Sequence, residues 1–291
     1  MSATALLAIG WGCRGGSTDE VRKAPAREVP AERAFDSKSN VSSVVLADSV
    51  VDKIDLLLMI DNSISMSDKQ QILSTVLPDL MSRLVNPLCV DERGNLYPPP
   101  PGGSATCPSG QRQEFQPIGD IHVGIISSSL GDAGANVACP VQGFVGYAPD
   151  VVDMAHLMGS LERSRADTNA QGFLEWRAGV TNPTDFNRNF QELVVDVGEQ
   201  GCGWEAQLES WYRFLVDPVP YQKLVRAPCP GSSSLAANCV QRDSGPDGRF
   251  LLDDTLLDQR EAFLRPDSLV AIVMLTDEND CSLQVGGQTW T

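Results

Sequence analysis

Asp55-Leu-Leu-Leu-Met-Ile-Asp61-Asn-Ser63-Ile-Ser65-Met-Ser is a stretch in which an apolar run ends abruptly in an acid and two spaced hydroxyls. An apolar run of this length between polar residues predicts a fully buried strand of a parallel sheet. Open parallel sheets place their ligands beyond the carboxyl ends of the strands, which is where Asp61 falls. Residues 68–84 carry apolar side chains at three- and four-residue spacing, which predicts a helix.

The side-chain oxygens of Asp61, Ser63 and Ser65, which follow this predicted strand, indicate what kind of metal ion could bind there. Carboxylate, hydroxyl and water oxygens are ligands for Mg²⁺, Mn²⁺ or Ca²⁺, whereas Zn²⁺ requires His or Cys, and neither stands near Asp61 in the sequence. Because Mg²⁺ keeps several waters, a site of one acid and two hydroxyls leaves positions open for a partner's carboxylate. The simpler alternative is that Asp61 or Ser63 is a plain helix N-cap.

The spacing of Asp61, Ser63 and Ser65 after a buried strand resembles the DxSxS motif of the von Willebrand factor A domain, a family with a metal-ion-dependent adhesion site. The apolar run from Leu269, which ends before Asp277, resembles the last motif of that family. The resemblance implies an α/β fold with a doubly wound, mainly parallel, Rossmann-like sheet and helices on both faces. It also implies that the two serines bind metal directly, and that Asp61 and Asp277 act directly or through water.

The middle motif of the family departs from its usual form in this chain. The family usually supplies a threonine from a loop before a helix, but residues 198–205, which precede an amphipathic segment, contain none. Glu205 or a backbone oxygen is the candidate substitute. The resemblance then implies a Mg²⁺-dependent (or Mn²⁺- or Ca²⁺-dependent) protein-binding domain, in which the metal accepts an acidic side chain of a protein partner.

Two other functions stay open from the sequence. One is a structural envelope protein that keeps this fold without binding metal. The other is a Mg²⁺-dependent phosphatase-like hydrolase, but the haloacid dehalogenase pattern requires a second aspartate where Ser63 stands. GxSxG, P-loop and HExxH patterns are also missing from the sequence, so we expect that the chain is not an enzyme.

Charge and the N-terminal residues bear on partners and location. A net charge of −16 disfavours nucleic acid, which requires clustered Lys and Arg. Residues 1–13 resemble the end of a bacterial lipoprotein signal with Cys13 as the lipid-anchored residue, although no positive segment precedes the apolar part and Gly10 replaces the usual Leu. Residues 14–45 have the composition of a flexible tether. We expect an extracytoplasmic protein, on the cell envelope or secreted, that meets a membrane only through Cys13.

The domain itself is expected at residues 46–291, with long cysteine-containing insertions at about 86–118 and 227–248. In an exported protein such cysteines usually form disulfides. The shortest closures along the chain join Cys89 with Cys107 and Cys229 with Cys239, although spacing alone does not prove connectivity. The seven cysteines after Cys13 are an odd number, so one of them lacks a partner within that set.

Further elements follow from periodicity. We predict a second main strand at 121–130 and an edge strand at 144–147. Helices are expected at 152–165, 187–197 and 251–264. His122 is expected to be a packed histidine rather than a metal ligand. Only fourteen residues follow Asp277, so the sequence looks truncated relative to the family; a compact variant with an exposed sheet edge is the alternative.

Overall fold

The computed structural model describes residues 33–35, 42–44, 51–100, 106–131, 152–199, 201, 205–229, 231 and 239–287. The strands are β1 (Arg33–Phe35), β2 (Ser42–Val44), β3 (Lys53–Ile60), β4 (Cys89–Asp91), β5 (Leu96–Tyr97), β6 (Gln111–Gln113), β7 (Asp120–Ser127), β8 (Leu174–Arg177), β9 (Leu224–Ala227), β10 (Cys239–Arg242) and β11 (Leu269–Leu275). The helices are α1 (Ser67–Val85), α2 (Pro183–Asp196), α3 (Gln207–Leu215) and α4 (Asp254–Phe263), with short 3₁₀ turns at Ile64–Met66 and Met158–Ser160.

A four-stranded sheet in the order β11-β3-β7-β8 forms the centre of the domain. Strands β11, β3 and β7 run parallel, and β8 pairs antiparallel with β7 at one edge. The continuous apolar sequence of β3 suits its central place, because both faces of a parallel sheet are covered by helices. The predicted mixed α/β fold with a mostly parallel sheet is confirmed at this level.

Alternating side chains of β3 enter two separate cores. Leu56, Leu58 and Ile60 pack under α1 and α2, whereas Leu57 and Met59 face the side on which α3 and α4 lie. This alternation follows from the two-residue period of a strand, and it allows one strand to bury side chains on both faces of the sheet. The predicted helices on both faces of the sheet are therefore present.

Both predicted disulfides are present, one in each long insertion. Cys89–Cys107 closes the segment that contains β4, β5 and β6, which form a small antiparallel sheet. Cys229–Cys239 joins the ends of the β9–β10 hairpin. The two disulfides join cysteines that are 18 and 10 residues apart. Closing a loop of this length stabilises a fold by about 3 kcal/mol, mainly because it restricts the unfolded chain. The bonds indicate an oxidising compartment such as the extracytoplasmic space.

One predicted helix is wrong. Residues 152–165 form turns and the short 3₁₀ segment instead, and Met154 and Ala155 have φ angles of 51° and 60°, which no α-helix contains. The fully buried Arg213 of α3 donates to the Met154 carbonyl at 2.9 Å, and the backbone nitrogens of Asp153 and Met154 donate to the Ser129 carbonyl. Tertiary hydrogen bonds therefore override the helical spacing of this segment.

The remaining predictions are confirmed in part. The helix predicted at 187–197 is α2, which begins earlier, at Pro183, and the one predicted at 251–264 contains α4. The second main strand is β7, which ends at Ser127. His122 is buried between Phe173 and Phe263, as expected for a packed histidine. Residues 1–13, the edge strand at 144–147 and most of the tether at 14–45 lie outside the described residues. Within the described part of the chain, no helix has the length and apolar character to cross a membrane.

Candidate metal site at the strand ends

The carboxyl ends of β3 and β11 lie side by side and bring together residues that are more than two hundred positions apart. Parallel pairing sets Ile60 opposite Leu275, and the Asp61 backbone nitrogen continues the ladder by donating to the Leu275 carbonyl at 2.9 Å. On the other side of β3, Ile60 pairs with Ser127 at the end of β7. The loops after these three strands therefore lie together at the carboxyl ends of the strands, where the sequence predicts a ligand site.

Asp61 is fully buried, and both of its carboxylate oxygens accept hydrogen bonds. The Ser63 backbone nitrogen donates to Oδ1 at 2.8 Å, and the Thr276 hydroxyl donates to Oδ2 at 2.6 Å. The first bond shapes the loop after β3, and the second joins that loop to the loop after β11. With both oxygens held in this way, Asp61 is placed to orient the loop.

Ser63, Ser65 and Asp277 form a continuous group of oxygen atoms. The Ser63 and Ser65 hydroxyls are 3.0 Å apart, and the Ser65 hydroxyl donates to Asp277 Oδ1 at 2.9 Å. Glu278 Oε1 lies 3.2 Å from the same hydroxyl. Ser63 stands at the N-cap position of the 3₁₀ turn, but its side chain makes no capping hydrogen bond. The Ser63 side chain therefore does not act as a helix N-cap, which was the simpler alternative for this residue.

Lys69 supplies a positive charge at the same place. Its ammonium group lies 3.0 Å from Asp277 Oδ2, donates to the Ser65 carbonyl at 2.8 Å, and pairs with Asp68 at 2.9 Å. The hydrogen bonds to Asp68 and Asp277 raise the pKa of Lys69 above its usual value, so it stays charged. The ammonium group therefore neutralises part of the negative charge that a bound cation would also neutralise.

Glu205 lies beside the site but contacts a different set of groups. Its carboxylate accepts a hydrogen bond from the Ser128 hydroxyl, which also lies 3.3 Å from Asn62 Oδ1, and residue 205 forms an isolated β-bridge with Ser129. The structure describes no hydrogen bond between Glu205 and Ser63, Ser65 or Asp277. Its assignment as a metal ligand stays a prediction.

Burial dominates the electrostatics of Glu205. Desolvation raises the pKa of its carboxyl group to about 7, opposed by the hydrogen bond from Ser128 and reinforced by the charges of Asp61, Glu278 and Asp153. This carboxyl group therefore keeps its proton to higher pH than an exposed glutamate does. A bound cation would favour the ionised form, as any nearby positive charge does.

Three residues of this arrangement were not singled out from the sequence. Thr276 orients Asp61, Ser128 orients Glu205, and Lys69 pairs with Asp277. Each has a sequence signal that could have found it: Thr276 and Ser128 directly follow the apolar runs of β11 and β7, and Lys69 is four residues after Ser65, one helical turn away. Strand-end hydroxyls are as informative here as the acids.

The donor set suits a hard cation with few protein ligands. Within the described part of the chain, no group of three or more His, Cys, Asp or Glu side chains is placed to hold a metal ion. The predicted ligands comprise two aspartates and two hydroxyls, which Mg²⁺ tolerates because it retains several waters. Of these, Ser63, Ser65 and Asp277 are reachable from solvent, whereas Asp61 is not.

Comparisons with known proteins identify no relative: no family model, no curated protein and no solved structure matches this chain. The family resemblance therefore rests on the residues themselves.

Proposed function

We propose that this chain is a von Willebrand factor A-like, divalent-cation-dependent protein-binding domain of the bacterial cell envelope. In this proposal Mg²⁺, Mn²⁺ or Ca²⁺ binds at Ser63, Ser65 and Asp277, with Asp61 acting through water. The cation keeps one position for a carboxylate of a protein partner. The chemistry that the ion supplies is electrostatic attraction and coordination of that carboxylate, with no turnover.

The observation that carries the proposal is the distance of 2.9 Å between the Ser65 hydroxyl and Asp277 Oδ1. These residues come from loops after two neighbouring strands, and no helix cap or turn requires them to meet. With the Ser63 hydroxyl 3.0 Å from that of Ser65, three oxygen ligands lie within the span of one coordination shell. Their partial exposure leaves room for a partner.

Location on the envelope is supported by two kinds of observation. The disulfides in the two insertions fit an oxidising compartment, and the sequence around Cys13 resembles a lipoprotein signal. The net charge of −16 does not favour an anionic partner unless a cation mediates the contact. A metal-bridged carboxylate therefore agrees with the charge of the chain.

A structural protein without metal is the second candidate, and Lys69 is the observation that favours it. Its ammonium group already pairs with Asp277, while Thr276 and the Ser63 nitrogen satisfy Asp61. In that case the strand-end network only connects the loops of the domain, and added cations have no specific effect on it.

Calorimetric titration of the chain with Mg²⁺ and with Mn²⁺ tests the proposal, together with thermal unfolding at the same ion concentrations. Asp277→Asn keeps the shape of the side chain and removes its charge, so we expect it to abolish the binding heat and the ion-dependent increase in Tm. A ligand at about 100 times its Kd stabilises the native state by about 2.7 kcal/mol, which a thermal scan resolves.

Asp79→Asn is the matched control, because it removes the same charge from an exposed position of α1. We expect this variant to bind the ion as the unmodified chain does. Equal responses of the two variants would show that the ions act on the overall negative charge, and the structural candidate would then be preferred.

A further inference from the structure

A cavity of about 440 Å³ lies between the loop before β8, the start of β8 and the N-terminal half of α2. The residues that line it all come from one continuous stretch of the chain, residues 167–189. None of them belongs to the candidate metal site. The volume lies within the range of about 300–1,000 Å³ that is typical of small-molecule sites. The cavity is therefore a second candidate binding site, separate from the ends of β3 and β11.

Two aromatic rings form an apolar part of the lining. Phe173 and Phe186 line the cavity and are 2% and 5% exposed. The Phe173 ring packs against His122 and Phe263, with ring centroids 4.6 and 5.5 Å away, and the Phe186 ring packs against Trp176 at 5.6 Å. Contacts with the core therefore hold both rings in place. A fixed apolar wall with a few polar groups is the usual composition of a small-molecule site.

Asn189 of α2 is the polar residue on which the inference depends. It lines the cavity and is 7% exposed. Its Oδ1 accepts a hydrogen bond from the Asp167 backbone nitrogen at 3.2 Å, which determines the end of the amide that carries the oxygen. No residue in the described part of the chain accepts a hydrogen bond from its Nδ2. A buried donor without an acceptor is unfavourable, so a ligand that accepts this hydrogen bond is favoured.

Three carboxylates line the same cavity, and no Lys or Arg stands among the described residues of its lining. Glu175 pairs with Arg177 at 2.8 Å, and Asp185 lies 3.2 Å from Arg188. Asp167 is exposed and forms no salt bridge with any residue that the structure describes. Its carboxylate is therefore available to accept hydrogen bonds from a ligand.

The first turn of α2 does not turn this cavity into an anion site. Asn182 Oδ1 accepts hydrogen bonds from the backbone nitrogens of Thr184 and Asp185, at 2.9 and 3.3 Å. The Asp185 carboxylate also supplies the negative charge that a helix N-terminus favours. An anionic ligand would therefore meet carboxylates and N–H groups that already have an acceptor.

The hydrogen-bonding groups of the cavity indicate the class of ligand. An ammonium or guanidinium group carries donors alone, so it cannot accept from Asn189 Nδ2, whereas a hydroxyl both donates and accepts. We propose that the cavity binds a neutral carbohydrate. One sugar hydroxyl accepts a hydrogen bond from Asn189 Nδ2, and the same or a neighbouring hydroxyl donates to the Asp167 carboxylate. The C–H groups of the sugar ring contact Phe173 and Phe186.

Nuclear magnetic resonance of the ¹⁵N-labelled 291-residue chain tests the proposal, by titration with D-glucose, D-galactose, D-mannose and N-acetyl-D-glucosamine. We expect at least one of these sugars to bind with a Kd of about 1–10 mM, as is usual for so small a ligand. The signals of the Asn189 side-chain amide should move, together with backbone signals from residues 167–189. No change with any of the four sugars at about 100 mM overturns the proposal. Changes confined to other residues also overturn it.

Choline chloride and sodium phosphate, titrated in the same way, represent cationic and anionic ligands. We expect neither to move the Asn189 side-chain signals. A response to one of these salts without a response to any sugar would show that the cavity recognises charge, and the carbohydrate proposal would be rejected. EDTA is present in every titration, so the result does not depend on the cation site proposed above.

Asn189→Asp keeps the side-chain shape and the oxygen that accepts from Asp167, but it replaces the Nδ2 donor with an acceptor. We expect the Kd of the bound sugar to rise at least about tenfold. Asn187→Asp is the matched control, because Asn187 lies on the same helix and does not line the cavity. Circular dichroism checks that both variants fold. Equal Kd values for the two variants would contradict the proposed role of Asn189.

Asp167→Asn gives a second variant at an exposed position, where the substitution places little demand on the fold. It removes the charge from the proposed acceptor, and hydrogen bonds to a charged group are stronger than those to a neutral one. We expect the Kd of the sugar to rise severalfold. An unchanged Kd in this variant would exclude Asp167 as the acceptor and overturn the proposed arrangement.

Discussion

The two ends of the same parallel strands carry charged groups that are arranged in opposite ways. At the amino ends, Asp55 is fully buried, and Arg265 donates to both Asp55 and Asp120, at 2.8 and 2.5 Å. At the carboxyl ends, Asp277 is partly exposed and its lysine partner, Lys69, lies in an exposed turn of α1. At the amino ends a partly buried guanidinium pairs with a fully buried carboxylate, whereas at the carboxyl ends both the lysine and its aspartate partner are more exposed.

This difference separates a structural role from a binding role. The Arg265 guanidinium also donates to the Ile54 carbonyl, and Ser268 bonds the second oxygen of Asp55. Every oxygen of Asp55 is thus satisfied inside the fold. The Ser63 hydroxyl, by contrast, has one hydrogen-bond contact within the described part of the chain, another hydroxyl at 3.0 Å, so the carboxyl end of the sheet keeps acceptor capacity for an external cation.

The largest effect on stability is expected at the amino ends of the strands. Arg265→Met leaves the buried Asp55 without its charge partner, which should lower the free energy of unfolding by about 3–5 kcal/mol. Urea unfolding measures the change. Arg83→Met is the matched control, because Arg83 pairs with Glu114 at the surface and the expected loss is about 0–1 kcal/mol. Equal losses would contradict the structural role of Arg265.

The next effect is a pH dependence at the carboxyl ends. Because burial raises the native pKa of Glu205 from 4.5 to about 7, the native state holds this proton more strongly than the unfolded chain does. Between these pH values the free energy of unfolding should therefore fall as pH rises, by about 3 kcal/mol at most. Glu205→Gln should remove this part of the slope, as measured by urea unfolding at several pH values.

Glu92→Gln provides the control for this slope, since Glu92 is exposed in the turn between β4 and β5. That variant should keep the full pH dependence of the original chain. A slope that survives in Glu205→Gln would assign the pH dependence to other carboxyl groups.

The sequence predicts the carboxyl ends of these strands better than the segments that pack against them. Asp61, Ser63, Ser65 and Asp277 were found because a continuous apolar run and the polar residues directly after it are both local signals. The helix expected at 152–165 was wrong because the decisive bonds come from Arg213 and Ser129, which are distant in sequence. The spacing of apolar residues indicates which side chains are buried, but it does not indicate hydrogen-bond partners that are distant in sequence.

The same distinction explains what was missed at the amino ends of the strands. Asp55 reads as a polar boundary of an apolar run, yet it is fully buried because Arg265 and Ser268, more than two hundred residues away, satisfy its oxygens. A buried carboxylate requires hydrogen-bond or charge partners, but the residues next to it in the sequence do not indicate which these are. Only the parallel pairing of β3 with β11 brings them together.

A smaller effect is expected from the hydroxyl that connects the two loops at the carboxyl ends. Thr276→Val keeps the side-chain shape but removes the donor to the buried Asp61, which should lower the free energy of unfolding by about 1–3 kcal/mol. Thr75→Val on the exposed face of α1 is the matched control, and we expect little change there because solvent replaces its bond to Gln71. A neutral result at Thr276 would show that Asp61 finds another donor, such as water.

The smallest and most specific effect concerns the two lysines at opposite ends of the sheet. Lys69→Met removes the ammonium group that competes with a cation for Asp277, so Mg²⁺ affinity measured by calorimetry should increase severalfold. Lys53→Met deletes the equivalent surface pair with Asp267 at the amino ends, and should leave that affinity unchanged. Weaker Mg²⁺ binding in Lys69→Met would instead mean that the lysine holds Asp277 in the geometry that the ion requires. Equal increases in Mg²⁺ affinity in both variants would indicate a general effect of net charge, because Lys53 lies at the end of the strands opposite to the proposed site.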